Sequence, residues 1–232
     1  MWDPKQYELF RNERSRPFFD LLEGVTVEKP ALAVDLGCGT GELTRIFHEK
    51  LGAHETLGID SSAEMLAKAP ADVAGLNFEQ GDISDFSPKK KPNLIFSNAA
   101  LQWVDAHESL FTKLAAALAP GGQLAVQMPA NHDHVSHAVA NETARLSQFA
   151  KALDGYVREV PVLTPEKYAA LLEKLGLENQ RVRIEVYGHR LESRASLIEW
   201  VKGTYLTDYS KRMSAAAYQE FIAEYTRLLF ER

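Results

Sequence analysis

The chain has 232 residues, of which 45% are hydrophobic and 25% charged, and a formal net charge of −6. That length suits one α/β domain with an embedded cap, enough to bury about 70% of the unfolded surface. The acidic balance argues against nucleic acid as a partner, since the one basic cluster, Lys89-Lys90-Lys91, has no interleaved aromatic residues, and no apolar run of about 18 residues offers a membrane span.

In chain order, the first element that carries chemistry is the apolar run Ala31-Leu32-Ala33-Val34, which delivers Asp35 and then Gly37, Cys38, Gly39 and Gly41. An amphipathic segment from Leu43 to Leu51 follows at once, so the spacing predicts strand, tight turn and helix. The turn floor carries almost no side chains and lets a ligand touch backbone, usually a nucleotide-like cofactor. A dinucleotide fingerprint wants glycines at the first, third and sixth positions. Here the third glycine comes one residue early, at Gly41, and Glu42 holds the sixth position. A pyrophosphate would therefore face Glu42 and Asp35, two anions where it needs donors. S-adenosylmethionine, with a sulfonium and an ammonium against one carboxylate, suits this charge pattern better than NAD.

The run from Glu55 to Asp60 reads as the second strand, with Asp60 at its C-terminal end beside the same crevice. A carboxylate there can accept both ribose hydroxyls. Ser61 and Ser62 read as helix caps, and Met65, one turn into a helix from Ala63 to Ala69, packs on either an adenine face or the core. A third strand, Leu76 to Gln80, leads to Asp82 and Ile83. Asp82 is expected to take the adenine amino hydrogen, with turn capping before Ser84 as its competing role, and Ile83 to cover the ring edge. The fourth strand, Asn93 to Asn98, is apolar enough for burial on both faces and opens into Ala99-Ala100-Leu101-Gln102-Trp103. The fifth, Gln123 to Met128, follows the turn Pro120-Gly121-Gly122.

Beyond this cofactor half, residues 30–128, the chain reads as a polar crossover to His137 and a helical stretch from Ala138 to Leu153. Thr164-Pro165-Glu166 starts a helix that runs to Lys174 and stops at Gly176. From Gln180 to Arg190, Val182, Ile184 and Val186 alternate with polar residues, which predicts an antiparallel strand near the sheet edge. Helices from Ser193 to Lys202 and Ala215 to Glu231 are expected to fold over the crevice. The expected organisation is one domain, with residues 1–20, 129–160 and 191–232 as a substrate lid. His132, His134 and His137 lack the further ligands that a metal site requires, so no metal is expected. Cys38 reads as a small packing residue; a lone cysteine suits a reducing cytoplasm, and Met1-Trp2-Asp3-Pro4-Lys5 lacks the pattern of a signal peptide.

Taken together, these pieces resemble the class I S-adenosylmethionine-dependent methyltransferases, and more closely the trans-aconitate 2-methyltransferase family. The closer likeness rests on Trp2-Asp3-Pro4, Tyr7, Phe10 and Glu13-Arg14-Ser15-Arg16-Pro17 at the N-terminus, Gly58-Ile59-Asp60-Ser61-Ser62, Leu101-Gln102-Trp103 and Ala125-Val126-Gln127-Met128-Pro129. Tyr187, His189, Trp200-Val201 and Gly203-Thr204 extend it to the C-terminal part. The resemblance implies a doubly wound, mostly parallel α/β sheet of Rossmann-like type. It also implies a cofactor site of Asp35, Gly37, Cys38, Gly39, Asp60, Ser61, Met65, Asp82, Ile83, Asn98 and Ala99. A departure from the family is that the sequence reaches Arg232 without a last strand beside the fifth: either the chain is truncated, or that sheet position is empty or filled by another chain, and an empty one leaves strand edges unpaired and favours weak self-association.

A carboxylate acceptor is already ionised at neutral pH, so its methylation needs positioning and no general base. Gln102 and Trp103 are the expected positioning groups beside the methyl. Tyr7, Arg14, Arg16, Trp103, His189, Arg190 and Trp200 are the expected substrate contacts, because guanidinium groups hold carboxylates bidentately. The runner-up readings are methylation of another small carboxylic acid or a carrier-bound malonyl group, and a module that binds the cofactor without turnover.

Overall fold

The computed structural model describes the backbone of residues 11–232 and the side chains from Ser15 onwards. Trp2, Tyr7 and Phe10 lie outside the described residues, as does the side chain of Arg14. The described chain opens with α1 (Arg11–Glu23) and continues through β1 (Leu32–Leu36), α2 (Glu42–Leu51), β2 (Glu55–Asp60), α3 (Ala63–Leu66), β3 (Leu76–Gln80), β4 (Leu94–Asn98), α4 (His107–Ala117) and β5 (Gln123–Gln127). Short 3-10 turns, Ile83–Asp85 and Leu101–Trp103, follow β3 and β4. Then come α5 (Val135–Arg145), α6 (Ser147–Ala150), α7 (Pro165–Lys174), α8 (Arg194–Lys202), α9 (Thr207–Arg212) and α10 (Ala215–Phe230).

All five strands are parallel and lie in the order β3-β2-β1-β4-β5. The chain reverses its direction of travel across the sheet between β1 and β4. A crevice therefore opens beyond the C-terminal ends of those two strands, where ligands settle in such sheets. Successive side chains of a strand point to opposite faces, and the core divides accordingly. Leu32, Val34, Leu36, Ile59 and Ile95 join Leu110, Phe111 and Leu114 of α4 and Tyr168 and Leu171 of α7 in one cluster. Ala33, Leu94, Phe96 and Ala125 join Phe18 and Leu22 of α1 and Phe47 of α2 in another. Helices thus cover both faces, which is why β1 is buried at every residue.

The chain builds two compact units, one of residues 14–129 with 161–185, the other including residues 130–160 and 186–232. The second unit is helical, with its own core of Val139, Ala140, Phe149, Leu206, Tyr209, Phe221 and Tyr225. Within it Asn141 Oδ1 accepts the hydroxyls of Tyr205 at 2.9 Å and Tyr209 at 2.8 Å. No helix among the described residues is long and apolar enough to cross a membrane.

Two expectations need correction. Gln180 to Arg190 is not a strand. Among the described residues its alternation meets no partner strand to complete a ladder; Val182 packs on the core of the sheet unit, whereas Ile184 is 62% and Val186 86% exposed. Periodicity specifies a face but cannot supply the neighbouring backbone that makes a strand. The helix expected from Ala138 to Leu153 is broken at Leu146, whose extended backbone separates α5 from α6. The helical start at Thr164 is as expected: its Oγ1 accepts the Lys167 N–H at 3.4 Å, and Pro165 occupies the first turn.

Candidate active site

The turn after β1 is fastened from both sides. The Gly37 and Cys38 N–H groups donate to the Ile59 carbonyl of β2 at 2.7 and 3.1 Å. Gly37 has φ +82, and a Cβ there would overlap the Ala100 Cβ from the loop after β4, so the turn and that loop are in contact. A Cβ on Gly41 would lie 2.5 Å from the Phe78 ring, and one on Gly58 2.6 Å from it. The absence of side chains at these two positions lets an aromatic ring of β3 close the floor. Ile83 reaches the same place, its Cδ1 3.8 Å from the Cβ that Gly37 lacks.

Asp60 ties the turn to the end of β2. Its Oδ2 accepts the Gly39 N–H and its Oδ1 the Ser62 N–H, each at 2.9 Å. A carboxylate offers about four lone-pair directions, so each oxygen keeps one for a further donor. Ser62 caps α3 by accepting the Met65 N–H at 3.2 Å, whereas Ser61 accepts the Gln80 side-chain amide through its carbonyl. Met65 Cε lies 3.2 Å from the position of a Cβ on Gly39, so the thioether is brought to the turn. Asp82 is engaged locally: Oδ1 accepts the Ser84 N–H at 2.8 Å and its hydroxyl at 2.5 Å, and these bonds hold the carboxyl below its usual range. The turn-capping role weighed for Asp82 is therefore present, on one of its two oxygens.

Asp35 is 3% exposed, and Thr44 Oγ1 donates to its Oδ2 at 2.7 Å. Burial pushes its pKa up to about 7; the Thr44 bond opposes this and the nearby Asp60 charge adds to it. The Cys38 thiol is pushed far up by the same burial and by both acids, which leaves it without nucleophilic character. Across the crevice, Ala99 N–H donates to the Gln127 carbonyl at 2.9 Å, and Asn98 stands in register with Gln127. Gln102 Nε2 donates to the Ala99 carbonyl at 2.6 Å. The Asn98, Gln102 and Gln127 side-chain carbonyl oxygens are buried without a partner, three of only four such atoms among the described residues. Buried acceptors left unmatched are costly, so these three oxygens can take a donor from water or from a bound group.

The other expected substrate residues divide between the units. In the sheet unit, Trp103 is 56% exposed, and Arg16 is exposed with Asp20 at 3.9 Å. In the helical unit, His189 and Arg190 are exposed, and the His189 ring lies 4.9 Å from that of Trp200. His134 caps α5 through Ser136, and His137 stacks on Tyr205, where burial lowers its pKa to about 4. Sequence reasoning missed Thr44, Phe78, Ala100 and Gln127. Gln127 alone carried a signal: a polar side chain at the C-terminal end of a strand bordering the crevice.

A family model for the methyltransferase domain matches residues 8–182. The chain is 44% identical to a trans-aconitate 2-methyltransferase of Deinococcus radiodurans, over 97% of this chain and 88% of that protein. The chain belongs to the trans-aconitate 2-methyltransferase family. A relative of the same name from Acidovorax ebreus is 39% identical over 99% of this chain and 89% of its own length. The solved structure of a DhpI–SAH complex shares the fold, with a TM-score of 0.50 at 22% identity, covering 73% of this chain and 77% of that one.

This methyltransferase takes S-adenosylmethionine as its cofactor, and the residues at the crevice fit such a group. A buried acid beside a neutral hydroxyl and a second acid favours a cation over a phosphate. The unmatched carbonyl oxygens favour an ammonium or another donor. When bound, the cofactor supplies an electrophilic methyl on a cationic sulfur. The chain's own residues are left to bind, orient and exclude water.

Proposed function

We propose that this methyltransferase esterifies a carboxylate of trans-aconitate or of a closely similar small polycarboxylate. The observation that carries the reading is the near-full-length identity to relatives bearing that name. The chemistry at the crevice supports it, because a carboxylate with a pKa near ~4 is a nucleophile at neutral pH and requires no base. In this reading Asp60 holds the ribose hydroxyls, and Met65, Ile83 and Asp82 surround the adenine. The turn of Gly37, Cys38 and Gly39 meets the cofactor through backbone, and Ser61 borders the ribose. Asp35, with Asn98 and Ala99, faces the charged end. Gln102 and Trp103 flank the methyl acceptor, and Arg16 offers a guanidinium to a carboxylate of the polyacid. The proposed compartment is the cytoplasm, where a lone thiol such as Cys38 stays reduced.

The test is transfer of label from methyl-labelled S-adenosylmethionine to a panel of trans-aconitate, cis-aconitate, citrate, isocitrate and simple monocarboxylates. The expected result is a methyl ester of trans-aconitate formed with a kcat/KM at least about tenfold above the monocarboxylates, since each carboxylate held by a guanidinium adds roughly 1.5–3 kcal/mol. Absence of ester from every acid, in a sample that binds S-adenosylhomocysteine, would sink the reading.

A further inference from the structure

One buried polar cluster in the sheet unit has no part in the chemistry described so far. His107, the first residue of α4, is 2% exposed. Its Nε2 lies 2.9 Å from the Leu101 carbonyl oxygen, and its Nδ1 is hydrogen-bonded to the Tyr168 hydroxyl of α7. A carbonyl can only accept, so Nε2 carries the proton; in the neutral ring Nδ1 then accepts and the Tyr168 hydroxyl donates. That hydroxyl accepts in turn from the Leu163 N–H at 3.2 Å. A directed chain of hydrogen bonds thus runs from the backbone before α7, through Tyr168 and His107, to the carbonyl of Leu101.

What this chain braces is a strained loop. Ala99 (φ 53) and Ala106 (φ 54) both adopt the left-handed conformation that residues with a Cβ avoid. Such strain persists only where the surroundings over-determine it, and it gathers at working sites. Between the two alanines lies the turn Leu101–Trp103, with Leu101 fully buried and Trp103 largely exposed. Its middle residue, Gln102, has its amide nitrogen tied back to Ala99 and its oxygen buried without a partner. The sense of the Ala99 bond fixes that oxygen as the acceptor.

We propose that His107 is a positioning residue for methyl transfer: backed by Tyr168, it holds the Leu101 carbonyl, and with it the Gln102–Trp103 turn, in the orientation the acid requires. The inference rests on the reading that this turn flanks the methyl acceptor. His107 itself touches neither substrate nor cofactor, so its effect is on geometry at the turn and not on the affinity of the nucleoside.

The experiment compares His107→Leu, His107→Gln, Tyr168→Phe, Gln102→Ala and Trp103→Ala, using steady-state kinetics on trans-aconitate and calorimetric binding of S-adenosylhomocysteine. His107→Leu is expected to lower kcat/KM for the acid roughly 10- to 100-fold, the scale of a displaced positioning group, with nucleoside affinity within about twofold of the parent. His107→Gln, which offers one acceptor and one donor, is expected to recover most of that loss. Tyr168→Phe deletes a single oxygen atom and keeps the test alive if His107→Leu fails to fold; its expected loss is roughly three- to tenfold, again without loss of nucleoside binding. The proposal is overturned if Gln102→Ala impairs turnover while the His107 and Tyr168 variants do not. It is equally overturned if those variants weaken nucleoside binding as much as turnover, which marks a merely structural role. Unchanged turnover in Gln102→Ala and in Trp103→Ala removes instead the reading of the turn, and this inference with it, while leaving methylation of the acid intact.

Discussion

At the scale of single residues, the site is governed by two acids with opposite surroundings. Asp60 is half-buried and satisfied by two backbone N–H groups, so it is built to keep its shape while accepting more. Asp60→Ala removes the tether of the glycine turn together with the acceptor proposed for the ribose. Calorimetry with S-adenosylhomocysteine should register a loss of roughly 10- to 100-fold, on the order of 1.5–3 kcal/mol for bonds to a charged group; unchanged affinity removes the ribose assignment. Asp35 is buried, its pKa raised from 3.8 to about 7. A folded-state pKa above the unfolded one means that the folded protein binds more protons than the unfolded chain in between. The stability this group contributes is complete below pH 3.8 and is lost as pH rises through about 7. The difference in unfolding free energy between the parent and Asp35→Asn should therefore move in favour of the variant across that window, by at most about 1.4 kcal/mol per pH unit. A cation bound nearby favours the ionised form. Affinity for S-adenosylmethionine should accordingly rise with pH up to about 7, and more steeply than that for S-adenosylhomocysteine, which lacks the sulfonium charge. Equal pH slopes for the two nucleosides would place the charged sulfur away from Asp35.

At the scale of elements, the strand–turn–helix of β1 and α2 works because the turn is pressed between β2 and the loop after β4. Gly37 meets two demands, a positive φ and the absence of a Cβ facing Ala100. Gly37→Ala should cost about 2–4 kcal/mol, combining left-handed strain with overpacking against a neighbour that is itself held in place. Gly121, also at positive φ but with nothing within 4 Å of a Cβ, is the control. Gly121→Ala should cost only about 1–2 kcal/mol. Urea unfolding of the two variants separates the terms, and equal losses would mean that the contact with Ala100 contributes nothing.

At the scale of the molecule, each unit has a core and a polar network of its own. In the helical unit Asn141 serves three groups: its Oδ1 accepts the Tyr205 and Tyr209 hydroxyls, and its Nδ2 donates to the Arg158 carbonyl at 3.3 Å. Asn141→Ala removes the acceptor of both hydroxyls and a donor to the Arg158 carbonyl, and the fully buried Tyr209 hydroxyl keeps the Arg158 N–H it accepts at 3.1 Å but loses its own acceptor. A loss of about 2–4 kcal/mol is expected in denaturant unfolding, because an unmatched buried group costs more than a bond contributes. A change below about 0.5 kcal/mol would show that water replaces the amide. The two units draw their residues from interleaved stretches of the chain, since residues 161–185 return to the sheet unit after the helical stretch 130–160. That return brings Tyr168 to His107, a partnership between residues far apart in sequence.

Much of the fold was legible because its signals are local. The apolar runs of β1 and β4, the glycine spacing after Asp35, the acid at the end of β2 and the Thr164-Pro165 start of α7 each depend on residues within a few positions of one another. The sequence by itself therefore determined the strand–turn–helix order, the sulfonium-type cofactor and the family. Packing in three dimensions was needed to learn that Gln180 to Arg190 forms no strand, that Thr44 donates to Asp35, and that Asn98, Gln102 and Gln127 share one edge with unmatched oxygens. It alone joined His107 to Leu101 and Tyr168. The physical reason is that periodicity and turn chemistry act between near neighbours, whereas strand pairing, burial and hydrogen-bond partnership are settled by whichever distant segment fills the adjacent space.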